Sequence, residues 1–235
     1  GAVGRDAAGD ELLAGLAAEG IDVAGVARAD AAVTGAALIT VSDAGENAIT
    51  VLPGANVAVP APGDEARQAL RGARCLLLQG EIPLEVNHAW AEAARALAVP
   101  VLLNAAPASA GLGALLPRVD LLLVNETELV QLGGDEAAIA AGGPATVVTT
   151  LGERGCRAWH RGRQLAVPGV PVDVVDSTGA GDTFAGALAA ALAAGKGLAG
   201  ALAEANLAAA MSCRRAGARG GMPTRAELDA ALAET

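Results

Sequence analysis

From Cys75 onward the chain alternates short, almost purely apolar runs with stretches of helical spacing. CLLLQ at 75–79 precedes a helical pattern from Leu84 to Leu97, VPVLLN ends in a loop, VDLLLVN precedes a helix beginning near Glu126, and ATVVTT precedes a hairpin closed by CRAW. Half-exposed strands alternate apolar and polar residues, whereas these runs do not alternate, so each is expected to be buried on both faces. Apolar strands separated by helices predict an α/β fold: a three-layer α/β/α sandwich around a doubly wound, mostly parallel sheet. In such a sheet ligands lie beyond the carboxyl ends of the strands.

Three other stretches carry a pattern. Residues Ala36 to Val59 alternate on both sides of Asp43-Ala44-Gly45-Glu46-Asn47, which predicts a β-hairpin. The opening GAVGRDAAGDELLAGLAAEGIDV predicts a loop, a helix from about Asp10 to Glu19, and a turn into a strand. Further on, the β-branched Val172, Val174 and Val175 suit a buried strand, and Phe184, Ala185, Leu188 and Leu192 recur at helical spacing until Gly195.

Composition narrows the class. With 235 residues, 53% of them hydrophobic and 18% charged, the chain is long and apolar enough to bury a core. The formal charge of −10 leaves no basic stripe for nucleic acid, and the RRAGAR cluster at 214–219 is too short to make one. Cys75, Cys156 and Cys213 are odd in number and scattered, fitting neither a disulfide framework nor a zinc site; two of these thiols are expected in buried strands or helices. His88 and His160 read as surface or boundary residues. No secretory signal opens the sequence and no apolar run approaches the roughly 20 residues of a membrane span, so a cytoplasmic protein without a membrane partner is expected. One Phe, two Trp and no Tyr imply that a nucleobase would meet an aliphatic cleft.

The candidate chemistry is concentrated in Asp176-Ser-Thr-Gly-Ala-Gly-Asp182, between the expected strand and helix. Gly179 and Gly181 permit a sharp turn and leave amides uncovered at a helix N-terminus, where an anion can sit. Asp182 can either cap that helix or take a proton from a hydroxyl while the amides of Gly179, Ala180 and Gly181 hold developing phosphoryl charge. The turn is no P-loop, because Gly181 is followed by Asp182 and Thr183 rather than Lys and Ser/Thr. It is no dinucleotide fingerprint either, because Phe184 stands where the third glycine belongs. Asn125 ends an expected strand and Glu128 lies one turn into the next helix; such a pair suits a Mg²⁺ that keeps most of its waters, or a capping box. Glu81 and Asn104, just past and at strand ends, are read by themselves as loop or capping residues.

DSTGAGDTFAGAL resembles the carboxy-terminal signature of the ribokinase-like (PfkB-type) carbohydrate kinases, and NETE, TLGERG and GENAITVLPGAN occur in the family's order along the whole chain. The resemblance implies an anion hole at Gly179–Asp182 with Asp182 as base, and Mg²⁺ at Asn125 and Glu128. It implies ATP along Thr150, Leu151, Gly152, Glu153, Arg154 and Gly155, with Gly181 at the phosphates and Asn206 closing over the adenine. Glu81 would bind sugar hydroxyls. A K⁺ site would be formed by Asp176, Thr178, Ser212, Arg215 and Gly217, with Gly221 standing where many relatives offer a hydroxyl. One kinase domain over 1–235 is implied, incomplete at its amino end, with lid residues within 34–60 that offer a homodimer contact. The implied reaction is phosphorylation of D-ribose at its 5-hydroxyl; a ketohexose, deoxyribose or ketodeoxygluconate kinase, or a nucleotide-binding fragment without catalysis, stays open.

Overall fold

The computed structural model describes residues 1–41 and 47–234. Its amino-terminal part is tied together by Asp6. Strand β1 (Ala2–Gly4) pairs in parallel with β2 (Ala27–Ala29), and helix α1 (Ala7–Ala18) connects them. Asp6 caps α1 by accepting from Gly9 N at 2.9 Å, and it also accepts from Thr34 N at 2.8 Å and Thr34 Oγ1 at 2.6 Å. The Thr34 hydroxyl, then the Thr34 and Gly9 amides, hold its carboxyl below the usual range. A Cβ on Gly4 would stand 2.6 Å from Thr34 N, so this close approach requires glycine. The opening loop of the sequence reading is therefore β1, and the strand expected after the helix is displaced: Ile21 is exposed and β2 begins only at Ala27. Strands of three residues are too short to show a period.

The expected hairpin is present as β3 (Ala36–Val41) and β4 (Asn47–Leu52), antiparallel with Ala36 opposite Leu52 and Val41 opposite Asn47. Its turn at Asp43–Glu46 lies outside the described residues. Leu38, Ile39, Val51 and Leu52 are exposed on it.

The main sheet follows helix α2 (Asp64–Leu70). In chain order come β5 (Leu76–Gln79), α3 (Leu84–Ala96), β6 (Val101–Asn104), a 3₁₀ segment at Ala110–Arg118 where a loop was expected, β7 (Leu121–Asn125), α4 (Glu126–Gln131), α5 (Glu136–Ala141), β8 (Thr146–Thr150), β9 (Cys156–His160) and β10 (Arg163–Val167). The strand order is β10-β9-β8-β7-β6-β5, with β5 to β8 parallel and β9 and β10 an antiparallel edge. Successive residues of the central strands serve opposite layers. Val101, Leu103, Leu122, Val124 and Val147 pack against Ala91 and Ala94 of α3 and against Leu112 and Leu115. Leu102, Leu121, Leu123 and Val148 pack on the other side against Phe184 and Leu188 of α6 (Ala180–Ala193) and Leu202 and Ala205 of α7 (Leu198–Ser212). Each fully buried Leu or Val contributes about 1.5–3 kcal/mol, which is why purely apolar runs end up here. The sandwich matches the fold read from the apolar runs.

Helix α8 (Arg225–Ala233) is held to α7 by charge. Glu204, 1% exposed, accepts from Arg225 Nη1 at 2.5 Å and from Lys196 Nζ. Burial pushes its carboxyl up, but the Lys196 and Arg225 bonds outweigh that and leave it below the usual range.

Two expectations fail. Val172–Val175 form no strand, and Val174 and Val175 are each 65% exposed. Pro171 cannot donate to a ladder, and Val175 N is spent on Cys213 O at 2.8 Å. Of the three thiols only Cys156 is buried in an element; Cys75 precedes β5 and Cys213 follows α7, both partly exposed.

Candidate active site

The parallel strands end along one edge, with Gln79 opposite Asn104 and Asn125 opposite Thr150. At strand spacings of about 4.8 Å this edge runs roughly 14 Å from β5 to β8. Beyond the end of β8 lies a cleft of about 710 Å³, bounded by the TLGERG turn, the segment Val170–Val174, the first turn of α6 and one face of α7. Ligand space thus lies where a parallel sheet is expected to offer it.

The first turn of α6 is built around Gly179. This residue is the N-cap with φ 78°, and a Cβ there would stand 2.9 Å from Ala218 O. Thr183 donates to Gly179 O from both its amide at 2.8 Å and its hydroxyl at 2.9 Å, fixing the turn. Ala180 N donates to Ser177 O at 3.2 Å, so it gives the turn shape rather than a free donor. The amides of Gly179, Gly181 and Asp182 have no acceptor among the described residues, as the first turn of a helix leaves them. Gly181 lines the cleft, and nothing lies within 4 Å of a Cβ added to it. The Asp182 side chain is exposed and accepts no hydrogen bond from the described residues. Gly179 holds the cap position, so the capping role for Asp182 does not hold.

Asp176 fixes the loop behind this turn. Its Oδ1 accepts from Thr178 N at 2.9 Å and its Oδ2 from Gly217 N at 2.8 Å. The Gly217 amide first, then Thr178, keep its carboxyl below the usual range. Gly221 N donates to Gly217 O at 3.1 Å, and a Cβ on Gly221 would run into Ser212 O and approach Arg215 O at 3.4 Å. The residues expected at a monovalent cation therefore share one loop cluster. The Arg215 guanidinium turns away to Glu227 Oε1 at 2.7 Å.

Asn125 and Glu128 meet as a capping box: Glu128 N donates to Asn125 Oδ1 and Asn125 N to Glu128 Oε2, both at 2.8 Å. Burial pushes the Glu128 carboxyl up despite the bond from Asn125 N, so a nearby cation would be welcome. Oε1 of Glu128 is left over. Next to it, Glu126 pairs with Arg154 Nη2 at 2.6 Å, joining α4 to the TLGERG turn. Both side chains are more than half exposed, so that pair contributes little stability.

Of the residues expected at a nucleotide, Thr150, Gly152, Glu153, Arg154, Gly155, Gly181 and Asn206 line the cleft, whereas Leu151 does not; nor does Asn125, which the family likeness places at the nucleotide as well as at Mg²⁺. Leu151 N instead donates to Gly155 O at 2.8 Å and closes the turn. Asn206 is buried, with Nδ2 donating to Pro168 O at 2.9 Å. Glu81 lies past β5, exposed, with its amide on the Gln79 side chain and outside the cleft. Sequence reasoning missed the apolar wall Val170–Val172 and the cleft face of α7. That face was legible, since Asn206, Ala209, Ala210 and Cys213 fall at helical spacing.

An exposed, unengaged carboxylate beside free helix-terminal amides, above the carboxyl edge of an α/β sandwich, is the equipment of a small-molecule kinase. The chain belongs to the pfkB family of carbohydrate kinases, whose family model matches residues 1–225. It is 35% identical to the ribokinase of Bacillus subtilis over 99% of this chain and 80% of the relative. With the ribokinase of Haemophilus influenzae it shares 33% identity over 96% of this chain and 78% of the relative. The solved structure of Arabidopsis thaliana ribokinase complexed with ribose and ATP superposes with a TM-score of 0.91 at 31% identity, covering 99% of this chain and 80% of that one. The chain is an ATP-dependent sugar kinase of this family. Among the described residues no helix is long and apolar enough to cross a membrane.

Proposed function

We propose that the chain transfers the terminal phosphoryl group of ATP to the 5-hydroxyl of D-ribose, with Asp182 as general base. The observation that carries this is the Asp182 carboxylate, solvent-accessible and uncommitted, one residue from the open Gly181. Asp182 takes the hydroxyl proton as the sugar oxygen bonds to the γ-phosphorus and the β–γ bridging oxygen leaves with ADP. The free amides of Gly179, Gly181 and Asp182 face the charge on the transferred group. The choice of ribose rests on the likeness of Glu81 and the GENAITVLPGAN segment to ribokinases, together with the ribokinase relatives.

A magnesium ion would be held through water by Asn125 and Glu128. The donor set fits such an ion: Glu128 keeps one carboxylate oxygen after the capping box. Mg²⁺ keeps several waters and bridges phosphates, supplying charge neutralisation. A potassium ion would be held by Asp176 and the backbone oxygens of Thr178, Ser212, Arg215 and Gly217, with Gly221 adding no side chain. The exposed Leu38, Val51 and Leu52 of the hairpin suit a homodimer contact through the lid.

The test is a panel of ribose, deoxyribose, fructose, ketodeoxygluconate and adenosine, assayed by ADP release. Ribose is expected to give the highest kcat/KM, because a site built to hydrogen-bond hydroxyls rejects sugars that lack them. A clearly higher value for another member overturns the assignment. Equal rates in sodium and potassium buffers of the same ionic strength would remove the potassium proposal.

A further inference from the structure

The turn that follows β5 is pinned residue by residue. Gly80 N donates to Ala106 O at 3.0 Å, and a Cβ on Gly80 would stand 2.4 Å from Pro107 O, so the turn lies directly on that backbone. Glu81 N donates to the side-chain oxygen of Gln79. Gln79 O accepts from Asn87 Nδ2 at 2.8 Å. Of these three bonds, the last alone comes from a side chain of another element, α3.

Asn87 is out of character with its surroundings. Leu84, Ala91 and Ala94, its neighbours at helical spacing, pack into the core with Leu78, and Asn87 itself is 0% exposed. A leucine there would extend the apolar stripe. The amide is buried instead, with Oδ1 accepting no hydrogen bond from the described residues, a desolvation cost that core positions normally avoid. What it secures is one contact, the carbonyl that ends β5 two residues before Glu81.

We propose that Asn87 is a positioning residue for the sugar: by holding Gln79 O it sets the path of the Gln79–Glu81 turn and thereby the place of the Glu81 carboxylate. This rests on the reading of Glu81 as the group that binds sugar hydroxyls. A carboxylate carried on a turn fixed in advance loses less freedom on binding than one on a loose turn. The effect therefore falls on sugar affinity and not on the nucleotide or the reacting atoms.

The test is a cycle of wild type, Asn87→Leu, Glu81→Gln and the double variant, with kcat, Tm and the KM values for ATP and for the best sugar of the panel above measured on each. Leucine keeps the branching of asparagine and removes the unsatisfied oxygen together with the bond to Gln79 O, so Tm should stay within about 4 °C of wild type. Asn87→Leu should raise the sugar KM about tenfold, with kcat and the KM for ATP within about twofold. On the Glu81→Gln background it should add less than about twofold, because its effect passes through Glu81. An unchanged sugar KM in Asn87→Leu beside a raised one in Glu81→Gln overturns the proposal and leaves the Glu81 reading standing. An unchanged sugar KM in Glu81→Gln overturns that reading and the proposal with it. Equal factors on both backgrounds, or an equal rise in the KM for ATP, would show a purely structural role and overturn the proposal. Asn87→Ala, which adds no bulk to the core, carries the same comparison if the leucine variant does not fold.

Discussion

Replacing Gly181 with alanine separates stability from function. Gly181 sits in the first turn of α6 with nothing within 4 Å of an added Cβ, so no protein atom opposes the methyl group. Alanine is the better helix former, and the substitution should stabilise the fold by about 0.5 kcal/mol. For a chain of this length that raises Tm by about 1–2 °C. The same methyl group, however, enters the cleft beside the free amides of Gly181 and Asp182. If a transferred phosphoryl group uses those amides, the Cβ holds it off by more than a hydrogen bond tolerates. Losing one such donor costs about 10²–10³ in kcat, or about 2.7–4 kcal/mol of barrier. Thermal unfolding and steady-state ADP release on one preparation read both effects. A variant with raised Tm and undiminished kcat would refute the reasoning, since the glycine would then not be leaving room for the reacting group.

The other expectations concern burial and the remaining cleft contacts. Glu204 has a carboxyl held below its ordinary value of 4.5, so it contributes stability above that pH and the contribution is lost as pH falls below it. In acid melts the wild type should lose stability below about pH 4.5 more steeply than Glu204→Gln, which should also be about 1–3 kcal/mol less stable at neutral pH; matching acid profiles would contradict this. The Cys156 thiol, 1% exposed, is pushed by burial up to about 11. Fewer than three thiols should therefore react with a disulfide reagent at pH 8 in the native protein and all three in denaturant, and ADP should slow the labelling of Cys213. Asn206→Ala frees Pro168 O and should cost about 1 kcal/mol of stability and raise the KM for ATP with kcat nearly kept; a fall in kcat alone would place Asn206 elsewhere in the reaction.

How much could be read from the chain depends on where each residue's partners lie. The runs at 101–104, 121–125 and 146–150 are covered by both layers, and their pattern identifies the sandwich, whereas the run at 76–79 is the sheet's edge, where Leu78 is buried but Leu77 is 41% exposed. The turn at Gly179–Asp182 is equally local: its φ, its free amides and its helix follow from neighbouring residues. Val172–Val175 misled because β-branching reports only a local preference, while a strand needs a ladder, and here the amide of Val175 is taken by Cys213 O, just past α7. Helices α2, α5 and α8 are too short for a period, although Thr224 and Glu227 form a capping box that the sequence displays. The α7 face at 206, 209, 210 and 213 was within reach of helical spacing. The Val170–Val172 wall was not, because it faces residues more than thirty positions away.

The most direct measurement is the comparison of wild type with Asp182→Asn in a single-turnover phosphoryl transfer from ATP to ribose, alongside calorimetric ADP binding. Asp182 accepts no hydrogen bond from the described residues, so the isosteric amide leaves the turn intact. ADP affinity is expected to stay within about threefold while the transfer rate drops by about 10²–10⁴. Transfer at the wild-type rate by a well-folded Asp182→Asn protein would contradict the account, because the proton of the sugar hydroxyl would then be leaving by another route.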